Sequence, residues 1–333
     1  MYDDVRLGTL LSDERIAPIA PDAIRARDLS KEPLWDMTLS ALRDEHIFMG
    51  DIGRGFARLY RAADTGSWYY PVYSEEERAA DPTCADVNIV WLPSDDKAAD
   101  DDPFILLIPG GGFVNVWSLT EGWPVADRFN AMGYHVFVLT YRVGCGLLTE
   151  QKGLLDRDME DIAHALCFIR DNRDIFHTDA DRYITCGFSA GGYLVCLWNT
   201  EIGHVRHELP KPQASFPIYP VTGIKCDMAG GLSEEEKIFV SNLCGMPPEE
   251  ALTTAYETTE HVEHFPPCAL FLAADDGLVS PDNSKALAKA LEDAGIPCRL
   301  EIGKEGGHGF ADGTGMCMEG WTERAIEWYE SLT

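Results

Sequence analysis

The chain has 333 residues, of which 45% are hydrophobic, and its formal net charge is −29 at pH 7. This length fits one large α/β domain or two modest ones, and we favour a single domain with insertions. The acidic excess predicts a field that repels phosphate backbones and anionic lipid, so neither nucleic acid nor a membrane is expected as a partner.

The N-terminal sequence and the cysteines predict a cytoplasmic protein. The first residues lack a basic start followed by an apolar core, so they do not resemble a secretory signal. No uninterrupted apolar run has the length of a membrane span. The 10 cysteines form no CxxC pair, which is typical of reduced thiols. Cys186 and Cys196 are expected to pack in the core rather than to act as nucleophiles.

Residues 1–80 form an N-terminal extension that is harder to interpret than the rest. Its aromatic residues are scattered, with weak periodicity and several turn signals. Residues 34–44 have a helical pattern, and residues 67–73 are consistent with an edge strand that pairs near Asn88. The extension is expected either to lie across the top of the sheet as a cap or simply to pack against the domain.

Residues 81–333 alternate between β-rich runs and helical patterns, which predicts a mainly parallel sheet with helices on both faces. The predicted strands are residues 86–92, 104–108, 135–141, 183–186, 214–219, 269–273 and 299–302. Long helices are predicted at 154–176 and 284–294. Residues 201–267 interrupt this alternation and are expected to contain two short helices, at 234–243 and 248–256. This segment is either a lid-like insertion or a plain surface excursion.

The strand at 104–108 leads directly into three consecutive glycines, in the sequence IPGGGF. Such glycines can turn backbone N–H groups toward a substrate carbonyl, where each donor stabilises the oxyanion of acyl transfer by about 3–4 kcal/mol. A bare turn is the alternative, but a two-residue turn does not require three glycines. We therefore predict an oxyanion site at this loop.

Ser189 lies in a GxSxG pattern between a predicted strand and a predicted helix, as in a nucleophile elbow. Gly187 and Gly191 lack the Cβ atoms that would block a tight strand-to-helix turn. The pattern alone arises by chance in roughly one such chain in ten, and a serine that merely caps the following helix is the alternative. In an elbow, the Ala190 amide supplies a further oxyanion donor.

A serine nucleophile requires a base and an orienting acid, and both are available further along the chain. Asp275 and Asp276 end an apolar strand, and His308 follows in the glycine-rich loop GGHGF. The order Ser189, Asp276, His308 is that of an α/β-hydrolase triad. We prefer Asp276 as the acid because it directly precedes the turn, while Asp275 is the second choice and turn formation alone is the structural alternative.

Two pairs of histidines have spacings that suit a metal site on a helix. These pairs are His204 with His207 and His261 with His264. Because no carboxylate or cysteine occurs at a matching spacing, both are predicted to be surface pairs. No metal and no organic cofactor is expected.

Taken together, these motifs resemble α/β-hydrolases of the esterase and lipase group related to hormone-sensitive lipase. More narrowly, the chain is similar to bacterial carboxylesterases and carbohydrate acetyl esterases that carry PGGGF or PGGGY. The similarity extends over about residues 86–333 and includes DRYITCGFSAGGYL and ADDGLVSPDNS. The resemblance implies Ser189 as the nucleophile, His308 as the base and Asp276 as the acid. It also implies that the backbone amides of Gly111, Gly112 and Ala190 bind the oxyanion.

The sequence therefore predicts a serine carboxylesterase that hydrolyses small uncharged acyl esters, chiefly short-chain (acetyl) esters of sugars or related alcohols. Its only expected partner is the small-molecule ester. Two alternatives remain open. One is an amide-cleaving hydrolase of the same fold, either an arylformamidase or a peptidase-like enzyme. The other is a non-catalytic binding protein that keeps the pocket without the reaction.

Overall fold

One eight-stranded sheet organises the chain. The computed structural model describes residues 2–46, 50–66, 68–95, 103–144, 152–179, 181–225 and 231–332. The strands are β1 (Tyr69–Pro71), β2 (Asn88–Leu92), β3 (Phe104–Ile108), β4 (Val136–Thr140), β5 (Tyr183–Phe188), β6 (Ala214–Ile218), β7 (Cys268–Ala273) and β8 (Cys298–Gly303). The α-helices in the described ranges are α1 (Leu7–Leu11), α2 (Leu39–Asp44), α3 (Ile52–Asp64), α4 (Glu75–Ala80), α5 (Trp123–Ala131), α6 (Leu154–Asp171), α7 (Arg173–Phe176), α8 (Ser189–Trp198), α9 (Glu234–Cys244), α10 (Pro248–Ala251), α11 (Asp282–Asp293) and α12 (Trp321–Glu330).

The strand order is β1-β2-β4-β3-β5-β6-β7-β8. β1 and β2 are antiparallel to each other, and β2 is antiparallel to β4, whereas every pair from β4 to β8 is parallel. The loops that follow β3, β5, β7 and β8 therefore meet at the same edge of the sheet. This edge brings together the glycine loop, the GxSxG turn, the two aspartates and His308.

Strand side chains alternate between two apolar layers, because successive residues of a strand point to opposite faces. Ile105 and Leu107 of β3 belong to a cluster with side chains of α3, α5 and α12. Leu106 and Ile108 belong to a second cluster with side chains of α6 and α8. Helices thus cover both faces of a mainly parallel sheet, as predicted.

All seven predicted strands are confirmed, with small shifts at their ends. The strand at 104–108 has the predicted bounds, because an unbroken apolar run ends there at Pro109. β5 continues two residues beyond the prediction, through Gly187 and Phe188. The predicted edge strand is shorter than expected, Tyr69–Pro71, and Ser67 lies outside the described residues.

Two predicted helices are wrong in length, because polar side chains compete for backbone carbonyls. The helix predicted over 154–176 divides into α6 and α7 at Asn172, whose Nδ2 donates to the carbonyl of Phe168 at 2.8 Å. The helix predicted over 248–256 ends at Ala251, whose carbonyl accepts a 2.8 Å bond from the Thr254 hydroxyl. The helix predicted over 234–243 is confirmed as α9.

The N-terminal extension is fastened to the domain by buried polar contacts. Arg58 of α3 is buried and donates to Asp127 of α5 at 2.8 Å and to Asp95 at 2.6 Å. The Leu119 amide, in the turn that leads into α5, donates to the Ala23 carbonyl at 2.8 Å. The roles of residues 1–80 as a cap and of residues 201–267 as a lid stay predictions.

Asp22 is a buried carboxyl group at the contact between the N-terminal extension and β2. Its side chain is buried against β2 and accepts a 2.9 Å hydrogen bond from Asn88. Burial raises its pKa to about 6. Because this folded pKa lies above the unfolded value, the contribution of Asp22 to stability is present at low pH and is lost as the pH rises through about 6.

Asp22→Asn is therefore expected to stabilise the protein at pH 7, by about 3 kcal/mol in the free energy of unfolding. The asparagine copies the protonated carboxyl and can still accept from Asn88. Urea unfolding at pH 7 and pH 4 measures the effect, which should shrink toward zero at pH 4. A variant that is less stable than the native protein at pH 7 would contradict this account.

Candidate active site

Ser189 lies at a sharp turn between β5 and α8. Its φ is +50°, a left-handed conformation that is strained for a residue with a Cβ atom. The neighbouring glycines allow the turn: a Cβ atom on Gly187 would lie 2.3 Å from the Gly191 carbonyl oxygen, and one on Gly191 would lie 2.1 Å from the Ile108 carbonyl oxygen. Ser189 therefore occupies the strand-turn-helix geometry predicted for an elbow.

Ser189, His308 and Asp276 form a continuous chain of hydrogen bonds. His308 Nε2 lies 2.8 Å from Ser189 Oγ, and His308 Nδ1 lies 2.8 Å from Asp276 Oδ2. An ionised carboxylate can only accept, so Nδ1 donates to Asp276 and Nε2 is left to accept the serine proton. The structure thus brings the three predicted residues together in the arrangement that a serine nucleophile requires.

The two neighbouring aspartates have different contacts. Asp276 Oδ1 accepts from the amides of Leu278 and Val279, both at 2.9 Å, while its other oxygen faces His308. Burial acts to raise the pKa of Asp276, but His308 and these amides outweigh it and hold the pKa below its usual value. Asp275 instead accepts from the Gly307 amide at 2.8 Å. Asp276 is therefore the carboxylate in contact with the histidine.

Gly111 and Gly112 of the glycine loop line the same cavity as Ser189. Gly111 and Gly112 have φ values of +140° and +62°, which L side chains rarely adopt. Within the described residues, neither amide donates to another protein group. The Ala190 amide lies in the first turn of α8, where helices leave amides without an acceptor. All three predicted donors are thus free to receive a substrate oxygen.

Glu121 is a site residue that the sequence analysis missed. Its buried carboxylate accepts from the Gly110 amide at 2.6 Å through Oε2 and from the Tyr219 hydroxyl at 2.9 Å through Oε1. Burial raises the pKa of Glu121, while the bonds from Gly110 and Tyr219 favour the ionised form. The Tyr219 ring also packs against His308, with a centroid distance of 4.8 Å. Glu121 thereby links the glycine loop to the wall beside His308.

Glu121→Gln is expected to lower kcat by about tenfold with little change in KM. Glutamine is neutral and has one acceptor oxygen for two donors. If that oxygen faces the Gly110 amide, the NH₂ group donates to the Tyr219 hydroxyl and the proton of that hydroxyl must turn away; in the opposite orientation the Gly110 amide loses its acceptor and the glycine loop shifts. Kinetics with 4-nitrophenyl acetate measure the change. Glu234→Gln, on the exposed surface of α9, is the matched control. An unchanged kcat for Glu121→Gln would rule out this positioning role.

A cavity of about 460 Å³ opens above the serine. It lies within the size range of small-molecule sites. The extension contributes one residue to it, His46, although that residue lies far from Ser189 in the chain. The lining residues are His46, Gly111, Gly112, Trp117, Thr120, Glu121, Ser189, Leu278, His308 and Gly309.

The prediction that His204 belongs to a surface pair is wrong. His204 is buried, and its ring lies edge-on to His264 with a centroid distance of 6.3 Å. His261 lies 3.0 Å from Glu201, and the ligand atoms of Glu201, His261 and Glu263 lie within 4.8 Å of one another. Glu201 was missed because it is 60 residues from His261 in the chain, whereas Glu263, only two residues from His261, was overlooked.

The fold and the serine turn agree with one protein family. The family model BD-FAE matches residues 90–291, which is more than half of the chain. The chain belongs to the BD-FAE family. Membership in BD-FAE and the sheet order together confirm the predicted α/β-hydrolase fold. None of the helices in the described ranges is long and apolar enough to cross a membrane.

Curated relatives of this BD-FAE protein include a xylanase and an esterase. It is 28% identical over 240 residues to endo-1,4-beta-xylanase B of Butyrivibrio fibrisolvens, covering 70% of this chain and 36% of that protein. It is 28% identical over 219 residues to an acetylxylan esterase of Xylanibacter ruminicola, covering 63% of this chain and 41% of that protein. The chain therefore spans well under half the length of these curated relatives.

A solved structure also resembles this BD-FAE protein. The acetyl ester-xyloside bifunctional hydrolase of Caldicellulosiruptor lactoaceticus superposes with a TM-score of 0.62 and 27% identity. The match covers 80% of this chain and 96% of the other. Two of these three similar proteins have names that refer to ester hydrolysis.

Proposed function

We propose that this protein is a serine carboxylesterase that hydrolyses short-chain, uncharged acyl esters, with acetyl esters of sugars or related alcohols as its substrates. The observation that carries the proposal is the hydrogen-bond chain from Asp276 through His308 to Ser189, with 2.8 Å at each step. A protein that only binds a ligand does not require these two hydrogen bonds, so they favour catalysis over the non-catalytic alternative.

In the proposed reaction, Ser189 Oγ attacks the ester carbonyl carbon while its proton moves to His308 Nε2. Asp276 stabilises the imidazolium that forms. The carbonyl oxygen becomes an oxyanion, which the free amides of the glycine loop and Ala190 bind. His308 then returns the proton to the alcohol oxygen as the acyl–oxygen bond breaks. Water then attacks the carbonyl carbon of the acyl-enzyme in the same way, and the carboxylic acid is released.

Three observations support a small, uncharged ester. The cavity volume of about 460 Å³ suits a short acyl group together with part of an alcohol. Buried Glu121 lines the cavity and the chain carries a net charge of −29, so anionic substrates are disfavoured. Two relatives, an acetylxylan esterase and an acetyl ester-xyloside hydrolase, have names that refer to acetylated saccharides.

A panel of 4-nitrophenyl esters and one N-formyl arylamine tests this proposal. We expect kcat/KM to be highest for acetate and at least about tenfold lower for octanoate. Ser189→Ala should lower kcat/KM for acetate by about 10⁴-fold or more. Undiminished turnover in Ser189→Ala would remove the serine mechanism. A higher kcat/KM for the N-formyl compound would favour the amide-cleaving alternative.

A further inference from the structure

A second cavity of about 610 Å³ adjoins the active-site cavity. His46 lines both cavities. The His308 loop lies along the same boundary, because Gly306 and Gly307 line the second cavity while His308 lines the first. A molecule that extends past His308 and His46 would therefore enter the second cavity.

The chemistry of the triad fixes which part of an ester lies on that side. The carbonyl oxygen must face the free amides of Gly111 and Gly112, which line only the first cavity. The alcohol oxygen must lie within hydrogen-bond reach of His308 Nε2, because that nitrogen returns the proton to it. The alcohol is thus directed toward the boundary that His46 and the His308 loop form.

The walls of the second cavity suit hydroxyl groups. Arg43 supplies donors, while Asp51 and Glu305 supply acceptors. The Glu305 carboxylate forms no ion pair within the parts of the chain that the structure describes. Among the described residues, Arg43 is paired with Asp3 and Asp51 with Arg54, which leaves the charge of Glu305 unpaired, so the lining disfavours an anionic alcohol. Hydroxyl groups, which donate and accept, match such a lining.

His46 is held at the boundary in a strained conformation. Its φ is +53°, which costs about 1 kcal/mol or more for a residue with a side chain. The chain is anchored on both sides: Arg43 donates to Asp3 at 3.1 Å, and the Asp51 amide donates to Asp312 at 3.2 Å. His46 also precedes residues 90–291, so the BD-FAE match does not include it.

We propose that His46 and the second cavity form the subsite for the alcohol part of the ester, and that this alcohol is a neutral polyhydroxylated molecule such as a sugar. The inference rests on the proposed esterase function. His46 acts as a specificity-determining residue: it contacts the alcohol and has no part in the chemistry at the carbonyl.

Two substrates with the same acyl group test the subsite, namely 4-nitrophenyl acetate and a monoacetylated methyl xyloside. His46→Ala is expected to lower kcat/KM for the xyloside by about tenfold, chiefly through KM, and to change that for 4-nitrophenyl acetate by less than about twofold. Glu305→Gln should show the same pattern more weakly. His261→Ala, a histidine that lines neither cavity, should leave the ratio of the two values unchanged.

Several outcomes would overturn the subsite. An equal loss on both substrates in His46→Ala would mean that His46 supports the fold or the triad, and unchanged values on both would mean that it does not contact the alcohol. Hydrolysis of 4-nitrophenyl acetate without hydrolysis of the xyloside by the native protein would remove the sugar assignment alone. Absence of turnover on every ester would instead remove the proposed function itself.

Discussion

Replacing Asp276 with asparagine is expected to lower kcat for ester hydrolysis by about 10⁴-fold, with little change in KM. The reason lies in the contacts of both carboxylate oxygens. Oδ1 accepts from the amides of Leu278 and Val279. An asparagine satisfies these amides only with its carbonyl, so its NH₂ group must face His308 Nδ1. That nitrogen then has to accept, which places the imidazole proton on Nε2 and blocks transfer from Ser189.

Asp275→Asn is the matched control for this prediction. Asp275 accepts from the Gly307 amide at 2.8 Å, and the asparagine carbonyl can accept the same bond. We expect its kcat to stay within about threefold of the native value. Steady-state kinetics on 4-nitrophenyl acetate compare the two variants. A larger loss in Asp275→Asn than in Asp276→Asn would reassign the acid.

Gly191→Ala is expected to abolish measurable activity and to lower the free energy of unfolding by about 4 kcal/mol. A Cβ atom at this position would lie 2.1 Å from the Ile108 carbonyl oxygen and 2.5 Å from the Pro109 carbonyl oxygen. Because both contacts are with backbone, neither can be relieved by a side-chain rotation. Helix α8 must move away from β3, and Ser189 moves with it.

Urea unfolding measures the stability of this variant, and Gly277→Ala serves as its control. Gly277 has no atom within 4 Å of an added Cβ, and its φ lies outside the left-handed region. Gly277→Ala should unfold within about 0.5 kcal/mol of the native protein. A Gly191→Ala variant with native stability and native activity would contradict this prediction, because it would show that α8 and β3 can move apart at this turn without cost.

Local patterns were sufficient to predict the sheet and to select three residues that the structure joins by hydrogen bonds, Ser189, His308 and Asp276. The strand at 104–108 was predicted with its observed bounds because it is wholly apolar and ends at proline and glycine. Ser189, Asp276 and His308 each follow a strand in a distinctive short motif, so their order along the chain suggested their meeting at one edge. The short motifs also distinguish Asp276 from Asp275 only weakly, and the choice depends on which side chain points toward His308.

Contacts between distant parts of the chain could not be predicted in this way. Glu121 was missed because its partner, Tyr219, is 98 residues away, although an acid within the apolar run that leads into α5 is a signal of a buried role. His46 was missed because the extension has weak periodicity. His204 was placed on the surface because spacing alone does not reveal burial, which depends on packing near His264.

Labelling with a fluorophosphonate, followed by peptide mass spectrometry, tests the nucleophile most directly. We expect one adduct per chain, on the Ser189 Oγ atom, and a strongly reduced labelling rate in His308→Ala because the base is missing. No adduct on the native protein, or an adduct on a residue other than Ser189, would contradict the assignment of Ser189 as an activated nucleophile.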